Sequence, residues 1–148
     1  IDYPTSEEEQ IILRNQVSSG ERAKVQPVVT PAEIVAARKL VREVYMDEKI
    51  ERYIVTLVQA TRKPENHGMG HLGPLIGFGA SPRATIGLAM AGKARAFMAH
   101  RGYVIPEDIR AVAMDVLRHR IGLTFEAEAE EIRQEQIVTE ILDQVQVP

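Results

Sequence analysis

Gly79-Ala80-Ser81-Pro82-Arg83-Ala84 spells out the start of a helix. Ser81 is a favoured N-cap residue, and Pro82 suits the first helical position, where its missing N–H costs nothing. Ile86, Met90, Ala94 and Phe97 then recur at helical spacing and are expected to form the core face of that helix. This register makes Arg83 the second helical residue. A cation is disfavoured there, because the first turn presents unpaired N–H groups at the positive end of the helix dipole. Two readings stay open. Arg83 is either a solvated surface arginine that costs about 0.3–1 kcal/mol against the dipole, or it shares an anion with the free backbone donors. Phosphate is the usual anion in such a place.

The flanking sequence is also helical. A helix opens at Thr5 or Ser6 with Glu7, Glu8 and Glu9 in its first turn, and runs to about Val17 before Ser18-Ser19-Gly20. Thr30-Pro31-Ala32-Glu33 joins an N-cap Thr, a Pro at the first position and a Glu that closes a capping box. Ile34, Ala37, Val41, Val44 and Tyr45 give this helix an apolar face. Asp47 caps a third helix carried by Ile50, Tyr53, Ile54, Leu57, Val58 and Thr61, which ends before Pro64. Residues 63–80, punctuated by Pro64, Gly68, Gly70, Gly73, Pro74, Gly77 and Gly79, read as a loop.

After the Ser81 helix, Gly102 is a stop, and Tyr103-Val104-Ile105 is a candidate strand. Pro106 opens a helix with Ile109, Val112, Ala113, Val116 and Leu117 facing inward. Gly122 breaks it, Leu123-Thr124-Phe125 is the candidate partner of residues 103–105, and a last helix runs from about Ala127 to Val145. The expected fold is all-α. It is one compact bundle of five to six helices over residues 1–148, with one short two-stranded pairing and residues 1–4 as the end of a strand or linker.

Composition removes several function classes. The chain has 148 residues, 45% hydrophobic and 26% charged, as in ordinary globular domains. It has no cysteine, which excludes disulfides, thiolate metal sites and cysteine nucleophiles. No apolar run is long enough for a membrane span, and no signal peptide is visible, so a cytoplasmic location is expected. The net charge of −3 argues against bulk nucleic-acid binding. Residues 83–120 carry seven basic and three acidic side chains, whereas residues 121–148 carry one and seven. Phe97 and Tyr103 are the only aromatics in the basic block, so nucleic acid is not an expected partner.

Other strings fail on context. Gly68-x-Gly70-x-x-Gly73 matches a dinucleotide fingerprint but follows a helix rather than a strand, and no GxxxxGK[ST] occurs. His67 and His71 are four apart in a loop, where that spacing defines no common face, so no metal site is expected. Arg118-His119-Arg120 either compensates the end of a helix or forms one side of an interface. No nucleophile–base or paired-carboxylate arrangement converges, so the chain alone is not expected to be an enzyme. A non-enzymatic helical interaction module is the alternative reading.

Gly79-Ala80-Ser81-Pro82-Arg83-Ala84, then Tyr103-Val104-Ile105-Pro106-Glu107-Asp108-Ile109, then Val116-Leu117-Arg118-His119-Arg120-Ile121, resembles the C-terminal region of MoxR-type AAA+ ATPases. Asp2-Tyr3-Pro4 and the acidic helix after it look like the point where the family's ATPase core hands over to its lid. The pattern is more distantly similar to the lid of magnesium chelatase ATPase subunits. The resemblance implies a helical lid beside a nucleotide-binding core. It makes Arg83 the sensor-2 residue that reaches the γ-phosphate of ATP, with Gly79, Ala80, Ser81 and Pro82 near the nucleotide. It further implies ATP with Mg held mainly by the core, and a ring, typically a hexamer, in which the lid meets its own core and neighbouring subunits. The family acts as chaperone-like remodelers, often with a partner carrying a von Willebrand factor A domain. Walker A, Walker B, sensor 1 and the arginine finger have no counterpart here. The chain, which opens on Ile1 rather than Met, is therefore expected to be a piece of a longer ATPase and inactive by itself.

Overall fold

A computed structural model describes residues 3–17 and 25–148, which divide into two compact units, Ile1–Ile34 and Val35–Pro148. The readings of Ile1 and Asp2, and the helix stop at Ser18-Ser19-Gly20, lie outside the described residues. In the first unit, α1 (Ser6–Val17) starts where expected, with Glu7, Glu8 and Glu9 in its first turn. The Thr5 N–H donates to Glu8 Oε2 at 2.8 Å. Helix α2 (Pro31–Glu43) opens with the expected box: the Thr30 N–H and hydroxyl donate to Glu33 Oε2 at 2.6 and 2.8 Å. These bonds, the backbone one foremost, hold the Glu33 carboxyl below its ordinary range.

The second unit continues along α2 through α3 (Glu48–Ala60), two 3₁₀ turns (Pro64–His67 and Gly70–Leu75), β1 (Ile76–Phe78), α4 (Pro82–Met98) and α5 (Pro106–Leu117). A 3₁₀ turn (Arg118–Arg120), β2 (Gly122–Leu123), α6 (Phe125–Ala129) and α7 (Gln134–Gln144) complete it. The chain is mostly helical with one two-stranded antiparallel ribbon, as expected for the fold class. Helix α3 buries Ile50, Tyr53, Ile54, Leu57 and Val58, as its periodicity predicts, with Asp47 accepting from the Lys49 N–H at 2.8 Å as its cap. The expected face of α2 is covered only towards its end. Val44 is buried and Ala37 and Val41 half-buried, while Ile34 and Tyr45 are exposed.

Helix α4 departs most from its sequence pattern. Its buried residues are Ala84, Leu88, Gly92 and Ala96, whereas Ile86 is 65% exposed and Met90 also lies outside. The cause is the close approach of α5. Ile109 reaches into the space beside Gly92, and α4 turns inward Ala84, Gly92 and Ala96 with one large residue, Leu88, against Ile109, Ala113 and Leu117 of α5. Bulk at helical spacing marks a core face only where the partner stands far enough away to need it.

The ribbon also has a different partner from the expected one. Gly122–Leu123 pairs with Ile76–Phe78 rather than with residues 103–105. Residues 103–105 are engaged elsewhere: the Tyr45 N–H donates to the Gly102 carbonyl at 2.9 Å, and the Val104 N–H to the Tyr45 carbonyl at 3.0 Å. The stretch read as a loop therefore contains two 3₁₀ turns and a strand, and buries Met69 and Leu72. The expected last helix is two, α6 and α7. Glu131 takes a left-handed φ of 56°, and the Arg133 N–H donates to Gln136 Oε1 at 2.7 Å to begin α7.

One buried ion pair joins the end of α4 to the start of α5. Asp108, 2% exposed, accepts from Arg101 Nη1 and Nη2 at 2.8 and 2.6 Å and from the Ile105 N–H at 3.0 Å. Burial pushes this carboxyl up, but the Arg101 bonds, the Ile105 N–H and the nearby Arg95 outweigh it and leave it below its ordinary range. Asp108→Ala leaves the Ile105 N–H without its acceptor and takes the carboxylate from Arg101, which is partly exposed and keeps the Tyr103 carbonyl, and should cost about 1–3 kcal/mol of unfolding free energy in urea titrations. The depressed carboxyl contributes stability above its unfolded pKa and loses it as pH falls through the folded one. The wild-type chain should therefore lose stability below about pH 4, and Asp108→Ala should show a shallower acid limb in the same titrations.

Candidate functional site

Helix α4 begins where two segments distant in sequence are locked together. Gly79 passes directly over the end of α3, where a Cβ would stand 2.6 Å from the Thr61 carbonyl carbon. Only glycine fits this approach. The Ala80 N–H donates to the Thr61 hydroxyl at 2.9 Å, and that hydroxyl donates to the Val58 carbonyl at 2.7 Å. Arg62 Nε donates to the Ala80 carbonyl at 2.5 Å. Ala80 is fully buried with both backbone groups engaged, so its part in the site is to fix the loop.

Ser81 adopts the extended N-cap conformation, φ −76° and ψ 168°, but its hydroxyl makes no capping bond. Its carbonyl accepts from the Ala84 N–H at 2.8 Å. Pro82 has no N–H, and the Arg83 N–H has no acceptor inside the helix. Arg83 is exposed, the first turn of α4 contains no acidic residue, and among the described residues Arg83 joins no ion pair. The cation and the backbone donors thus share the solvent-facing start of α4. These groups fit an anionic oxygen acceptor and supply no nucleophile or base.

The other sequence candidates are dispersed. His71 pairs with Glu140 on α7 at 2.5 Å, while His67 ends the preceding 3₁₀ turn. No group of three or more His, Asp or Glu that could hold a metal occurs among the described residues. Gly68, with φ 76°, ends a 3₁₀ turn and does not sit between a strand and a helix, so the glycine string is no nucleotide loop. Arg120 donates to the Val116 carbonyl and Arg118 pairs with Asp115 at 3.3 Å, so both side chains are engaged at the end of α5. No helix among the described residues is long and apolar enough to cross a membrane. Sequence reading missed Thr61 and Arg62, because no spacing rule links a helix end to a turn eighteen residues later.

Residues 73–141 match the AAA lid domain family. Over all 148 residues the chain is 35% identical to the chaperone MoxR1 of Mycobacterium tuberculosis and covers 39% of it. It is 38% identical over 146 residues, 99% of its own length, to the protein YeaC of Bacillus subtilis, and covers 43% of that protein. A crystal structure from Cytophaga hutchinsonii, described provisionally as that of an ATPase, matches the whole chain with a TM-score of 0.92 at 39% identity. The chain covers 45% of that molecule, and so spans less than half the length of each of these relatives. Residues 73–141 carry the AAA lid domain match, and the chain as a whole corresponds to the lid region of MoxR-type AAA+ ATPases.

Proposed function

We propose that this chain is the ATP-responsive lid of a MoxR-type ATPase, closing over ATP bound by a nucleotide-binding core with Arg83 on the γ-phosphate. One observation carries this reading: an exposed arginine, free of carboxylate partners among the described residues, stands second in α4 on a locked turn. A guanidinium offers paired N–H donors to phosphate oxygens, and such charge-assisted bonds are about twice as strong as neutral ones. Bound in this way, the γ-phosphate would draw α4 towards the core, and its departure on hydrolysis would remove the contact. Arg83 and the backbone of Ser81–Arg83 would hold the phosphate, with Gly79 and Ala80 setting their position. Mg, which lowers the charge of the phosphates when bound, is assigned to the core rather than to this chain.

The wider role follows from the kinship. A ring of such subunits, hexameric by family habit, would place the lid between its own core and a neighbour. A relative named as a chaperone supports a chaperone role; remodelling and maturing partner complexes, with a von Willebrand factor A domain protein as partner in the cytoplasm, is the form of that role we propose. Arg83→Ala in the full-length ATPase should lower ATP turnover at least about tenfold, by analogy with other arginines that stabilise charge on the transferring phosphoryl group, while the far-UV circular dichroism stays unchanged. Turnover within about twofold of wild type, on the same scale, would overturn the assignment.

A further inference from the structure

We infer that Thr61 and Arg62 are positioning residues for Arg83, an inference that rests on Arg83 being the phosphate contact. Three contacts from these two consecutive residues grip the two residues that lead into Ser81-Pro82-Arg83. The Thr61 backbone lies under Gly79, the Thr61 hydroxyl accepts from the Ala80 N–H at 2.9 Å, and Arg62 Nε donates to the Ala80 carbonyl at 2.5 Å. The hydroxyl proton is committed to the Val58 carbonyl at 2.7 Å, so its lone pairs are turned towards Ala80 and the geometry has one solution. Both backbone groups of Ala80 are thereby tied to the end of α3.

Arg62 is the telling member. It is exposed, and holding its long side chain in one geometry costs rotamer entropy that burial does not repay. What it holds is a carbonyl three residues before Arg83, in a turn where Ser81 supplies no side-chain cap. Pro82 then restricts the backbone on the other side. The start of α4 has little freedom left, and Arg83 leaves the helix at a height set by α3. Phosphate contacts of this kind are sensitive to placement: a shift of about 1 Å costs about a hundredfold in rate. A side chain that never touches nucleotide can in this way control one that does.

The test uses the full-length ATPase with Thr61→Val and Arg62→Met, each alone and combined with Arg83→Ala. Thr61→Ser and Arg62→Lys serve as conservative replacements. Arg62→Met alters an exposed side chain, so its fold should persist even if Thr61→Val compromises the core, and thermal melts check both. Each single clamp variant should lower kcat for ATP at least about fivefold and leave ADP affinity unchanged, since ADP has no γ-phosphate for Arg83 to meet. Thr61→Ser and Arg62→Lys should restore most of the loss. In the Arg83→Ala background the clamp variants should cost less than about twofold more, the non-additivity expected of residues that act through one group. Undiminished kcat in Arg62→Met, or losses that multiply with that of Arg83→Ala, would overturn the inference. Full turnover in Arg83→Ala itself would instead overturn the phosphate reading, and the positioning role with it.

Discussion

The contact between α4 and α5 at Gly92, where no side chain of α4 intervenes, sets the rest of the second unit. Ile109 reaches into the space beside Gly92, and α4 presents Ala84, Leu88, Gly92 and Ala96 inward against α5. That rotation sends Ile86, Met90 and Arg83 outward. It also brings the end of α4 alongside the start of α5, where Asp108 gathers Arg101 and the Ile105 N–H. The outward face that carries Arg83 and the ion pair at Asp108 thus lie at opposite ends of the same α4–α5 packing.

The parts of the fold legible in the sequence are those that local chemistry decides. Thr30-Pro31-Ala32-Glu33 and Asp47 mark helix starts because their side chains bond to backbone groups within three residues. The buried face of α3 is also readable, since large side chains at helical spacing fill the space between it and its neighbours. The face of α4 is not, because periodicity scores bulk and three of its four buried residues, Ala84, Gly92 and Ala96, are small. The ribbon partner was hidden for a different reason. Gly77 reads as loop punctuation, yet its missing side chain lets β1 lie against Leu123, whose carbonyl oxygen would stand only 3.0 Å from a Cβ there. Glu131, left-handed without glycine or asparagine, gives no sequence signal for the break between α6 and α7.

The candidate site divides along the same line. Arg83 is legible because it violates a local rule: a cation stands where the helix dipole favours an anion. Ser81 and Pro82 fix its register from sequence alone, and the structure gives that register. Its supports are not legible. Thr61 reads as one more residue on the core face of α3, and Arg62 as a cation after a helix end; both descriptions are true and incomplete. Their bonds to Ala80 exist only once α3 and α4 have come together.

The ribbon between Ile76–Phe78 and Gly122–Leu123 has a consequence for how the chain reaches its native state. It joins segments more than forty residues apart, and the neighbouring Thr124 hydroxyl donates to the Pro74 carbonyl at 2.9 Å across a similar interval. His71 reaches still further, to Glu140. Closing such long loops costs entropy before the contacts return it, so non-local pairings slow the folding of an otherwise helical domain. The helices and the α4–α5 pair rest on near-neighbour contacts and bear little of this cost. The stretch from Pro64 to Phe78, anchored at its far side by β2 and α7, carries most of that loop-closure cost, whereas the turn that carries Arg83 is held by the end of α3 only eighteen residues away.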